Sequence, residues 1–322
     1  MKVNNVENDL VKMANISALP SIWRLISKNN DQVIVKLNEG NEGLPVYLIH
    51  PLAGDVSSYR ELVNALGPHQ RIFGVQATRS ILKSDFVKSI ELLAQHYVNV
   101  LTSYQPNGPL VLAGWSVGAA VALEMAHQLR ALGRQVPLLV VLDGILANSC
   151  GGLRIWDPRY YWQLFYNIPR WIAHDLIEER RSLTRRLRAK ILAVTPNYGG
   201  RAEKNENIHK MDAYVNTTGW LPEQVSFARK LHDAGDVYIP KPYDGRVVIY
   251  AAKTQPLFHL FQVEATWGQT CSCVETVRID GTHLNFLRQP RVLALANDLR
   301  ARLQLLCVEQ ELDHDGLNGR PV

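Results

Sequence analysis

The pentapeptide Gly114-Trp115-Ser116-Val117-Gly118 constrains this chain more than any other stretch. Before it runs Pro109-Leu110-Val111-Leu112-Ala113, a short apolar run that predicts a buried strand. After it, residues 119–130 are rich in alanine, leucine and other helix formers, and Gly133 closes the run. A serine is therefore expected at the tip of a sharp turn between a strand and a helix. The flanking glycines fit such a turn because a Cβ at either place would crowd it. The helix N-terminus turns its unpaired N–H groups and positive dipole end toward the serine. A serine so placed is a candidate nucleophile.

A strand, a serine turn and a helix in that order form the nucleophile elbow of α/β-hydrolases, whose chain order is Ser, then acid, then His. His283 is the candidate base. It lies in Asp280-Gly281-Thr282-His283, just after Cys273-Val274-Glu275-Thr276-Val277-Arg278-Ile279, which predicts a last strand. That places it on a loop at the C-terminal end of a strand, where open α/β sheets carry their sites.

The acid is the discriminating residue. Many hydrolases carry it after the strand that precedes the histidine strand. Here that strand is expected over residues 246–251, and residues 252–263 contain no Asp or Glu. The alternative is the strand after the elbow helix, Leu138-Leu139-Val140-Val141-Leu142, which ends in Asp143. A helix of ~16 residues, a short turn and a strand of ~5 fill the spacing from Ser116 and return Asp143 to the same sheet edge. Asp143 is thus the expected acid. Asp280, three residues before His283, is expected to be a turn former.

The oxyanion hole is expected to use the N–H of Val117, the residue after the nucleophile. A second donor should come from the loop after an early strand, Pro45-Val46-Tyr47-Leu48-Ile49. That loop is His50-Pro51-Leu52-Ala53-Gly54, and since Pro51 has no N–H, Leu52 is the expected donor. His50 precedes the acid in the chain, so it is read as a hydrogen-bonded histidine that shapes the loop rather than as the base.

Several stretches then agree in order and spacing with one family. They are Ile49-His50-Pro51-Leu52-Ala53-Gly54, Phe73-Gly74-Val75-Gln76-Ala77, Ala94-Gln95-His96-Tyr97, Tyr104-Gln105-Pro106-Asn107-Gly108-Pro109, the elbow itself, Tyr238-Ile239-Pro240-Lys241-Pro242-Tyr243-Asp244-Gly245 and Gly281-Thr282-His283-Leu284-Asn285-Phe286. The chain resembles the thioesterase domains that release products from nonribosomal peptide and polyketide synthases, over about residues 33–306. Such thioesterases place their acid after the strand that follows the elbow, which suits Asp143. Two departures stand out: Trp115 where the family often has Tyr, and Gly54-Asp55 where Gly-Gly is common. Asp55 lies near the oxyanion loop and bears on access to it.

The chain has 322 residues and 47% hydrophobic content, enough for one hydrolase core with an insertion. A net charge of +5 does not by itself point to nucleic acid. Four cysteines match no zinc-site spacing and imply no disulfide framework. No signal sequence or long apolar run is visible, so no membrane span and a cytoplasmic location are expected. The architecture expected is a mostly parallel central sheet flanked by helices, an α/β-hydrolase fold with a helical lid. Residues 1–32 are an N-terminal extension, 33–306 the hydrolase domain, and 307–322 a polar, loose C-terminal tail.

About 100 residues, 144–244, separate two strands expected to be neighbours, far beyond the ~2–6 usual for a connection. They are read as the lid. Trp156, Tyr160, Tyr161, Trp162, Phe165, Tyr166 and Trp171 crowd its first part. Of these Trp156, Trp162 and Phe165 are candidates to line an acyl channel, with lid-to-body packing the alternative. Residues 180–190 are basic. Leu183, Leu187 and Ile191 give the run one apolar stripe, and Arg185, Arg186 and Arg188 are candidate carrier-docking residues unless the run is a solvated face. Residues 1–32 carry no Gly-x-Asp-Ser-type carrier attachment site, so a stand-alone enzyme or an excised terminal domain is expected.

The resemblance implies a serine thioesterase that takes an acyl or peptidyl chain from the phosphopantetheine arm of a carrier protein. The arm comes with the substrate, and no bound cofactor or metal is required. A carboxylester hydrolase acting on free small molecules, or a non-catalytic carrier-binding protein on a hydrolase fold, are the other classes.

Overall fold

The computed structural model describes residues 32–146, 219–254 and 263–318. It also describes helical residues 161–162 and 164–170, and residues 158, 211, 215 and 217. The chain order of the sheet-forming elements is β1 (Ile34–Lys36), β2 (Glu42–Ile49), α1 (Arg60–Leu66), β3 (Gln70–Val75), α2 (Arg79–Lys83), α3 (Ile90–Tyr104), β4 (Val111–Trp115), α4 (Gly118–Ala131) and β5 (Leu139–Leu142). After the insertion come α5 (Pro222–Val237), β6 (Tyr243–Thr254), α6 (Val263–Gly268), β7 (Cys271–Thr282) and α7 (Val292–Asn318). The seven strands of the described sheet run in the order β1-β3-β2-β4-β5-β6-β7. Only β1 is antiparallel to its neighbour. This is the expected α/β-hydrolase architecture, and β5 and β6 are neighbours as the lid argument requires.

The central strands are apolar throughout because both faces are covered. Side chains alternate along each strand. Tyr47, Ile49, Leu112, Leu139, Val141, Val247 and Ile249 join one core, which α3, α4 and α5 cover. Val46, Leu48, Val111, Ala113, Val140, Leu142, Val248 and Tyr250 join the other, closed by α1 and α7. Ile90, Leu93, Ala94, Tyr97, Val98 and Leu101 of α3 are buried at helical spacing, and the Ser89 side chain caps the helix by accepting from Leu92 N–H at 3.2 Å. Among the described residues no helix is long and apolar enough to cross a membrane.

The C-terminal tail differs from expectation. Rather than loosening after residue 306, α7 runs on to Asn318. Val292, Leu295, Ala296, Leu299, Leu303 and Leu306 hold its first turns in the core. Beyond them the chain is polar, but it is made of good helix formers, with neither Pro nor Gly before Gly316. An ion pair from Glu309 to Arg246 at 2.8 Å ties this stretch to β6.

Candidate active site

The elbow is built as its glycines demand. A Cβ on Gly114 would fall 2.2 Å from the Gly118 carbonyl oxygen, and one on Gly118 2.6 Å from that of His50. The second clash shows how closely the first turn of α4 lies against the loop after β2. Ser116 sits at the tip with φ 58°, in the left-handed region. A non-glycine residue there costs on the order of 1–2 kcal/mol and persists only where its surroundings hold it. Here Ser116 N–H donates to Leu142 O at 3.1 Å, which extends the β4–β5 ladder by one residue.

Trp115 pairs with Leu142 across β4 and β5, so Ser116 and Asp143 leave the sheet side by side. Asp143 is also left-handed, with φ 49°. Its N–H donates to Tyr250 O at 2.8 Å. Its carboxylate is gripped from two sides. Ala252 N–H donates to Oδ1 at 2.8 Å, and His283 Nδ1–H to Oδ2 at 2.8 Å. His283 follows directly on β7 and packs against the Trp115 ring at 5.4 Å between centroids. No hydrogen bond joins Ser116 to His283, a contact that in free enzymes often tightens only once substrate binds. Asp280 points elsewhere, to Lys253 Nζ at 2.7 Å.

Leu52, the first expected oxyanion donor, lies in the loop after β2, and Val117, the second, directly before α4, in segments that the close approach of Gly118 to the His50 carbonyl brings together. Among the described residues neither N–H donates to a protein acceptor. Tyr59, which the sequence did not flag, fixes the gap between the two loops. Its buried hydroxyl donates to Ile49 O at 2.6 Å and accepts from Trp115 N–H at 2.8 Å. It thus bridges the ends of β2 and β4 where the strands part. Asp55 accepts from Ser57 N–H at 2.9 Å and from the Ser57 hydroxyl, shaping the end of the loop that carries Leu52.

His50 is completely buried. Its Nδ1 lies 2.7 Å from Pro51 O and its Nε2 2.6 Å from Tyr97 Oη. Burial pushes its pKa from 6.5 down to about 4, against smaller upward effects of the Pro51 carbonyl and Asp55. Between those values the unfolded chain binds a proton that the folded chain refuses. Stability therefore falls as pH drops from 6.5 toward 4, by up to about 3 kcal/mol from this group. In urea unfolding at pH 7 and 4.5, His50→Asn is expected to flatten that dependence by roughly 2–3 kcal/mol. An unchanged pH slope would place the acid sensitivity in other groups.

From the insertion between β5 and β6, α5 packs on the site: its Phe227 ring is 5.6 Å from the His50 ring, and Val117 Cγ2 lies 3.1 Å from where a Cβ on Gly235 would sit. Trp162 and Phe165 are 76% and 77% exposed. Trp156, Arg185, Arg186 and Arg188 lie outside the described residues.

Residues 44–151 match the family model described as Thioesterase domain, a segment that holds Leu52, Ser116, Val117 and Asp143 and ends before His283. The Malpibaldin synthetase of Mortierella alpina is 34% identical over 142 residues, covering 41% of this chain and 3% of that protein. The Dimodular nonribosomal peptide synthase of Bacillus subtilis (strain 168) is 33% identical over 111 residues, 34% of this chain and 5% of that protein. Thioesterase frbE of Dothideomycetidae sp. (strain 11243) is 33% identical over 93 residues, 29% of this chain and 35% of that protein. The chain thus spans a minor part of the length of the curated relatives it matches. Among solved structures, the NocB thioesterase domain from the Nocardicin cluster superposes with a TM-score of 0.55 at 22% identity, covering 84% of this chain and 99% of that one. The thioesterase domain SrfTE, from work on cyclization of the lipopeptide antibiotic surfactin, does so with a TM-score of 0.51 at 16% identity, covering 85% and 97%. At these identities the likeness carries the fold. The sequence matches show that residues 44–151 resemble the thioesterase domain family, and the solved thioesterase domains share this chain's fold.

Proposed function

We propose that this chain is a serine thioesterase acting on acyl or peptidyl chains borne on the phosphopantetheine arm of a carrier protein. The observation that carries the reading is the 2.8 Å bond from His283 to Asp143, at the sheet edge where Ser116 leaves β4. The Ser116 hydroxyl attacks the thioester carbonyl, and its proton passes to His283 Nε2. Asp143 holds the Nδ1–H tautomer and stabilises the charged ring. Leu52 and Val117 N–H groups take the developing oxyanion, each worth on the order of 3–4 kcal/mol of barrier. The C–S bond then breaks, and His283 returns the proton to the leaving thiolate. The acyl-serine is discharged by water, or by a hydroxyl or amine of the chain itself to give a ring. The reading calls for no metal or resident cofactor. The synthetases among the relatives support a carrier protein as partner in secondary-metabolite biosynthesis, and the proposed place of that reaction is the cytoplasm.

The carrier is proposed to dock on Arg185, Arg186 and Arg188, and the acyl chain to run past Trp156, Trp162 and Phe165. Intact-protein mass spectrometry with carrier-bound thioesters should show an acylated wild-type protein. Reversing the three arginine charges together should raise KM for the carrier-bound substrate roughly tenfold while a short uncharged thioester is handled as before. A chain that cleaves simple esters but leaves carrier thioesters untouched would be an ester hydrolase instead. A reversed variant equal to wild type on both substrates would move the docking surface elsewhere.

A further inference from the structure

We propose that His50 and Tyr97 are positioning residues for the oxyanion donor on Leu52. A line of hydrogen bonds from the Tyr97 hydroxyl through the His50 ring to the Pro51 carbonyl aims and polarises the N–H of that same peptide. The inference rests on the reading that Leu52 N–H receives the oxyanion.

The direction of every bond in the line is forced. A carbonyl oxygen only accepts, so the hydrogen between His50 and Pro51 belongs to Nδ1, 2.7 Å from Pro51 O. The neutral ring then carries a lone pair on Nε2, and the Tyr97 hydroxyl 2.6 Å away must donate to it. Burial keeps this arrangement in place: both side chains are 0% exposed, and burial holds the imidazole uncharged and the phenol protonated across the neutral range.

The Pro51 carbonyl also accepts from Gly54 N–H at 3.0 Å. Its oxygen is thus held from two sides. The Pro51–Leu52 peptide is planar, with its C=O and N–H antiparallel. Fixing the oxygen therefore fixes where the Leu52 N–H points. Hydrogen bonds to a carbonyl also draw charge through the amide and strengthen its N–H as a donor, by about 10–30% per bond. Pro51 leaves no N–H of its own in this turn to compete. Tyr97 stands on α3 within the core against α4, so the line ties the loop to a packed helix rather than to other loop residues. Neither His50 nor Tyr97 reaches a surface that a substrate touches.

A purely space-filling role for His50 makes a different prediction, and two variants separate them. In His50→Asn the side-chain NH2 takes the place of Nδ1 and still donates to Pro51. In His50→Gln the polar end takes the place of Nε2, keeps company with Tyr97 and abandons Pro51. Both delete the ring and lose similar packing. With a short uncharged thioester, His50→Asn should stay within about threefold of wild type in kcat. His50→Gln should lose roughly 30-fold, part of the 10²–10³ expected for a missing donor, with KM within about twofold. Tyr97→Phe should fall between them.

A second readout needs no turnover. Carbonyl-labelled proline with ¹⁵N-leucine reports only the four Pro–Leu peptides of this chain, Pro51-Leu52 among them. The Leu52 amide proton signal should keep its position in His50→Asn and move upfield or broaden in His50→Gln and Tyr97→Phe. If Asn and Gln variants lose kcat equally, in step with their melting temperatures, and leave the Leu52 signal alike, His50 only fills space and the proposal is wrong. A wild-type protein that neither turns over thioesters nor takes a fluorophosphonate label would overturn the thioesterase reading instead. The amide signal would still decide the positioning line.

Discussion

Ser116→Ala is expected to abolish acyl-enzyme formation and to lower thioester turnover by up to about 10⁶-fold, the scale set by removing the nucleophile of a serine triad. The substitution removes one hydroxyl and leaves the elbow's other determinants alone: the Ser116 N–H to Leu142 O bond, Gly114, Gly118 and the α4 N-terminus. Alanine at φ 58° keeps the backbone strain that serine bears, so the melting temperature should stay near wild type. Ser116→Gly sharpens the test. It should be equally inactive, yet more stable by about 1 kcal/mol, because glycine adopts this conformation freely. Both variants should fail to take up a fluorophosphonate label. Near-full turnover by either one would remove Ser116 from the chemistry. An inactive glycine variant that is also less stable would mean that the elbow strain is not stored at this residue.

How far such a site can be read from sequence depends on what kind of signal each part leaves. The strands under Ser116 and Asp143 are covered on both faces, so they leave unbroken apolar runs at residues 109–113 and 138–142. The strand β6 starts at Tyr243, earlier than its apolar run, because pairing with β7 needs only backbone groups there. The three-residue antiparallel edge strand β1 is too short to announce itself. Helix α7 outlasts its apolar stripe on propensity and an ion pair, which polarity alone suggested was loose chain. Within the site, Ser116, Asp143 and His283 are legible because their residue types and chain order are distinctive. Ala252 is not, since its contribution to Asp143 is a backbone N–H that every residue but proline has. The contacts of Tyr59 and Tyr97 are likewise silent: their partners Trp115 and His50 lie 56 and 47 residues away, a closeness only the fold creates. Residues 252–263 hold no acid, and Ala252, which the structure places inside β6, supplies instead the donor that holds the acid of the neighbouring strand.

That placement makes Asp143→Asn the sharper of the two large effects. Asparagine tolerates φ 49° as well as aspartate does, so the backbone should not move. Its amide oxygen can still accept from Ala252 N–H, which turns the NH2 group toward His283 Nδ1. Two donors cannot face each other there. The imidazole must then present its Nδ1 lone pair to the amide and carry its hydrogen on Nε2, the nitrogen that should receive the Ser116 proton. Turnover is expected to fall by up to about 10⁴-fold with little change in stability or in KM. Asp280→Asn removes an exposed ion pair with Lys253, 2.7 Å long, and should change turnover by no more than about twofold. The two variants are to be compared on one thioester substrate at one pH, with melting temperatures measured alongside. Were the effects reversed, the carboxylate serving His283 would be the one three residues before it. The 2.8 Å contact with Asp143 would then play no part in moving the proton.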